Sequence, residues 1–164
     1  MIGKSITVAV ALGLLMSLPA QAGTGYPNLL ERIEREGTFK TFVKALGAAG
    51  LANDLTGSES WTVLAPTDEA FGQLPAGTID GLLKPENKDN LAEMLKGHLI
   101  PGKVFASTWA NEKVRVKTQA GDEVAVDGSG YPFLVNDARI IRLNVGAANG
   151  MIHVIDQVLL PPAS

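Results

Sequence analysis

The apolar positions of this chain change period partway along it. Upstream of Pro101-Gly102 they recur every three or four residues, and downstream they alternate. Residues 28 to about 37 read as a first helix. Thr38 is placed to cap a second, in which Phe39, Phe42, Val43 and Leu46 form one stripe. Residues 51–55 read as one further turn. Trp61–Ala65 is rich in strand formers, with Pro66 as its stop. Thr67 then caps a short helix over 68–74, whose Asp68 and Glu69 lie in the first turn, where the helix dipole favours carboxylates. Residues 78–83 make another helical turn. Pro85 opens a longer helix to about Gly97, with Leu91, Met94, Leu95 and His98 on one face. Beyond it, Val114, Val116 and Thr118 alternate with Lys113, Arg115 and Lys117. Turns are expected at Gly121-Asp122 and at 127–130, and strands at 124–126, 133–136, 138–143 and 151–160. Helices crowd the first half and strands the second. That order predicts an α+β domain, not alternating βαβ units.

The N-terminus has a different pattern. Lys4 is the only charged residue among the first thirty, and residues 6–18 are almost wholly apolar. Pro19 and the small-x-small run Ala20-Gln21-Ala22 follow. A spanning helix needs roughly 20 apolar residues, which this run does not reach. The layout predicts a signal peptide over 1–22, cleaved after Ala22, a short leader over 23–27 and one domain over 28–161, with a tail at 162–164. The expected destination is the periplasm or the extracellular space. Neither a transmembrane segment nor a lipid anchor is expected.

Charge and composition narrow the chemistry. The formal net charge is −3, one unit more negative without Lys4, so broad nucleic-acid binding is not expected. There is no cysteine, hence no disulfide framework, thiolate metal site or cysteine nucleophile. There are two histidines, His98 and His153. Hydrogen-bonded structural roles are expected for both. A two-histidine metal site completed by Asp156 or Asp68 would need distant residues to converge. Gly128-Ser129-Gly130 lacks the nucleophile-elbow pattern and reads as a hairpin turn. Adjacent Asp68 and Glu69 diverge on a helix and do not make an acid–base pair. Asn149-Gly150 reads as a turn supplying positive φ before the last strand. Asp156, inside that strand, is expected to accept from a loop backbone. No catalytic residue, cofactor or metal is predicted. The candidate binding feature is a row of cations: Lys113, Arg115 and Lys117 project from one strand face about 7 Å apart. Lys103 is a fourth candidate beside them. Such a row suits a polyanion, or keeps a sheet edge from associating.

Three stretches, in order, resemble the fasciclin (FAS1) domain family. Thr62–Phe71 is similar to the family's first signature, Leu95–Gly102 to its central histidine segment, and Asn149–Pro161 to its closing signature. Residues 39–55 resemble the opening helix. The resemblance implies a wedge-like antiparallel β-sandwich flanked by several helices. It also implies a non-catalytic role in weak adhesion or macromolecular recognition, with a cell-surface or extracellular protein or polysaccharide as partner. It marks Thr67, Asp68, Asn149, Gly150, His153 and Asp156 as motif residues, and His98, Leu99 and Ile100 as a candidate binding segment. One departure stands out. Gly97 occupies the position where animal members carry a tyrosine before the histidine, and there is no Arg-Gly-Asp triplet. Both argue against receptor-type adhesion through that segment. A single domain makes one weak contact, so it is expected to form a homo-oligomer, join a larger assembly or work as a soluble ligand. The alternatives from other classes are a small-molecule or lipid carrier, which needs an apolar pocket between helices and sheet, and a hydrolase, which needs converged titratable groups.

Overall fold

The computed structural model describes residues 26–160. The signal peptide expected at 1–22, most of the expected leader at 23–27 and the expected tail at 162–164 lie outside the described residues. Helix α1 (Leu29–Glu36) starts at Asn28, whose side chain and that of Glu31 each accept the other residue's backbone N–H, at 2.9 and 3.0 Å. Gly37 ends it in the left-handed region, φ 73°. Helix α2 (Lys40–Ala49) is not capped by Thr38. Its cap comes from elsewhere: Asp68 Oδ1 accepts the Thr41 N–H at 2.8 Å. A 3-10 turn (Ala52–Leu55) leads to β1 (Trp61–Pro66), which keeps Pro66 within the strand. Helices α3 (Asp68–Gly72), α4 (Thr78–Leu82) and α5 (Lys88–Lys96) follow, the last preceded by a 3-10 turn at Pro85–Asn87.

The strands are β2 (Leu99–Pro101), β3 (Lys113–Lys117), β4 (Glu123–Asp127), β5 (Leu134–Val135), β6 (Ala138–Ala147) and β7 (Gly150–Ile155). They form one mixed sheet in the order β2-β1-β7-β6-β5-β4-β3. Every pairing is antiparallel except that of β1 with β7. The start of β6 pairs β5 and the rest pairs β7, with register shifts after Ile140 and Arg142. That long irregular strand lets one sheet fold into two facing halves.

Side-chain alternation along β1 and β7 assigns the two faces. Val63, Ala65, Ile152 and Val154 pack with Phe42, Leu46, Met94 and Leu95 of the helices. Leu64 and Ile155 pack the other way, with Trp109, Val124, Val126 and Val135. The domain is thus an α+β sandwich with helices along one side. Every residue of β1 and β7 is buried. Four strand expectations change. The strand expected at 133–136 is only two residues long, the one expected at 138–143 runs to Ala147, the last strand stops at Ile155, and β2 was not anticipated.

Candidate functional site

Both histidines are fully buried. His98 Nδ1 lies 3.0 Å from the Met94 carbonyl, and its Nε2 accepts the Leu159 N–H at 3.0 Å. Those partners require the neutral ring with its proton on Nδ1. Burial pushes its pKa down to about 4, against a smaller opposing effect of the Met94 carbonyl. His153 is the mirror case. Its Nδ1 accepts the Asn144 N–H at 3.1 Å and its Nε2–H donates to the Val104 carbonyl at 3.0 Å. Burial lowers its pKa as well. Its ring tilts against Trp109, with centroids 5.2 Å apart. All four ring nitrogens are engaged by backbone groups, which leaves none for a metal or a substrate. Leu99 and Ile100 are also buried, so the central histidine segment offers no side-chain surface to a partner. A Cβ on Gly97 would lie 3.2 Å from the Met94 carbonyl, so glycine suits the tight end of α5.

The other motif residues are engaged inside the fold in the same way. Thr67 Oγ1 accepts the Ala70 N–H at 3.2 Å, the expected cap. Asp68 lies in the first turn of α3 but bonds the start of α2. Asn149-Gly150 is not a positive-φ pair; the positive-φ positions are elsewhere, at Asn111, Asn136 and Asn144 among the non-glycines. Asn149 instead joins three segments. Its Oδ1 accepts the Leu29 N–H at 2.8 Å, and its Nδ2 donates to the Leu55 and Gly57 carbonyls at 2.9 and 3.1 Å. Gly150 is needed for close approach, because a Cβ there would lie 2.0 Å from the Trp61 carbonyl oxygen. Asp156 follows β7 instead of interrupting it. Its Oδ1 accepts the N–H of Arg139 at 2.8 Å, a strand partner and not a loop.

The cation row lies on β3, an edge strand, with its charges exposed. The facing strand brings carboxylates beside it. Register pairs Lys113 with Asp127 and Lys117 with Glu123. Lys113 Nζ lies 3.1 Å from Asp127, and an Arg115 nitrogen 4.0 Å from Glu123. Ser129, then Lys113, hold the Asp127 carboxyl down at about 2. Two of the row's three cations are therefore paired within the hairpin, and Lys117 has no carboxylate within ion-pair distance among the described residues.

Lys103 lies in a different setting. It lines a shallow groove of about 980 Å³ with Tyr26, Arg32, Arg35, Phe105 and Asn144. Gly146 and Ala147 of β6 also line it. Lys103 Nζ sits 5.9 Å from the Phe105 ring centroid. Arg32 is bound to Glu36 at 3.0 Å, and Glu36 also holds Arg142. Arg35 and Lys103 have no carboxylate partner among the described residues. Tyr26 is 71% and Phe105 47% exposed. Sequence reasoning missed this groove. Its cations come from α1 and from the segment after β2, which local spacing does not connect.

Comparison with known proteins agrees with this architecture. The family model for the fasciclin domain matches residues 37–161. Protein sll1483 of Synechocystis is 43% identical over 132 residues, covering 76% of this chain and 68% of its own. A second Synechocystis protein, sll1735, is 38% identical over 134 residues, covering 82% of this chain and 98% of its own. Among solved structures, a FAS1 domain pair from the insect cell adhesion molecule fasciclin I aligns with TM-score 0.57 and 23% identity. That alignment covers 76% of this chain and 46% of that one. The chain belongs to the fasciclin domain family.

Proposed function

We propose that this chain is an exported, non-catalytic recognition domain that engages an extracellular or cell-surface protein or polysaccharide through weak surface contacts. One observation carries the reading. The polar motif residues His98, His153, Asn149, Asp68 and Asp156 all bond backbone groups within the fold, whereas Arg35 and Lys103 of the groove are exposed and have no acidic partner among the described residues. Buried groups spent on structure are poor candidates for chemistry, and exposed unpaired charge is what a partner meets. The space a carrier would need between helices and sheet is filled by Phe39, Phe42, Leu46, Met94 and Leu95. The signal-like residues 1–22 support export, and kinship of fold with a cell adhesion molecule supports recognition.

The test is retention. Immobilised protein is challenged separately with purified envelope proteins and envelope polysaccharides. The proposal expects reversible retention, weakening with salt, and no covalent change in the retained component. Retention of neither class, or turnover of either, overturns it. Light scattering on the same preparation reads whether copies associate.

A further inference from the structure

We propose that the Lys103 groove binds a carboxylated glycan, a chain built of uronic-acid-type sugars. The inference rests on the recognition reading and names the ligand class and the place.

Phe105 and Lys103 present an exposed ring and a cation with 5.9 Å between Nζ and the ring centroid. A uronic acid presents the complement on one rigid unit, with an apolar C–H face and a carboxylate on the same ring. Arg35 adds a second cation, whose planar fork suits a carboxylate. Tyr26 adds a second exposed ring. Asn144 contributes a hydroxyl-directed donor: its side-chain oxygen is taken by the Ala106 N–H at 2.9 Å, so its NH₂ is what it has left to offer. No carboxylate lines the groove among the described residues, and the first 25 residues contain none. The groove is therefore locally positive on a chain of net charge −3.

The ring and the cation, 5.9 Å apart, favour this ligand over two others. A nucleic acid carries its phosphates on a backbone joined to its flat bases through several rotatable bonds, so face and charge do not share one rigid unit. An acidic peptide carries its carboxylates on flexible stems and has no flat face beside them. A uronate chain is rigid and matches both the ring and the cation.

The test is titration of the protein with alginate oligosaccharides by calorimetry at low salt. Neutral dextrin, polyglutamate and oligo-dT serve as parallel probes. The proposal expects binding of alginate alone, weakened at least about tenfold by Arg35→Glu with Lys103→Glu and about threefold by Phe105→Ala. Circular dichroism melting confirms that these exposed variants fold. Arg115→Glu with Lys117→Glu is expected to leave alginate affinity unchanged. Equal binding of polyglutamate or oligo-dT overturns the ligand class. Loss of alginate binding in the β3 variant but not in the groove variant overturns the place. If alginate does not bind, while envelope components are retained equally by wild type and groove variant, this inference falls and the recognition reading stands. If nothing is retained, both fall.

Discussion

The β1/β7 pair and the β3/β4 hairpin are built on opposite terms. In the pair every residue is buried, and β7 runs parallel to β1 although it closes the chain. In the hairpin only alternate residues turn inward, and the outer row is charged. The buried imidazoles packed beside the pair have no water to fall back on, so they take backbone partners. The two histidines do so with opposite tautomers, and Asn149 does so three times. Charges on the hairpin can rely on solvent and pair only loosely, at 3.1 and 4.0 Å. Family motifs concentrate where burial leaves no freedom, and freedom to bind lies where the motifs are absent.

The contrast can be broken in order of effect. Gly150→Val forces a side chain into the Trp61 carbonyl and should cost upward of about 3 kcal/mol, read by urea unfolding. His98→Phe keeps a ring but strands the Met94 carbonyl and the Leu159 N–H. It should cost about 3 kcal/mol in the same assay. Protonation of His98 gives a matching result. The folded pKa of about 4 lies below the ordinary 6.5, so the unfolded chain binds the extra proton first. Stability is then fully present above pH 6.5 and falls by about 3 kcal/mol as pH drops toward 4. His153 adds loss of the same sign. His98→Phe should flatten that part of the profile. Asn149→Ala leaves three backbone groups to water or to nothing and should cost about 2 kcal/mol. At the bottom of the scale, Arg115→Glu with Lys117→Glu should move the melting temperature by less than about 2 °C. A large drop there would erase the distinction between the two regions.

How much of this the sequence foretold follows the same line. Local rules placed α1, the Thr67 cap, the β3/β4 alternation and the apolar stripe of α2, since each depends on neighbours in the chain. They placed structural histidines without their partners. They failed where a contact spans the fold. Asp68 caps α2 through the N–H of Thr41, 27 residues earlier, and Thr38 does not take that role. Gly150 answers to Trp61, not to a turn. β2 is three residues long and exists because β1 offers an edge. The carboxylates opposite the cation row were within reach, because a hairpin turning near Gly121 sets Lys117 against Glu123 and Lys113 against Asp127. The groove was not, because Arg35 and Lys103 meet only through tertiary packing.

Both histidines are committed to the fold, and long-range proton–nitrogen NMR correlations of the two imidazoles, followed from pH 7 downward, test that commitment. Two neutral rings are expected at pH 7, protonated on Nδ1 at His98 and on Nε2 at His153, with His98 staying neutral to about pH 4 while the domain remains folded. A histidine that titrates freely near 6.5, or two rings in the same tautomer, would contradict the account.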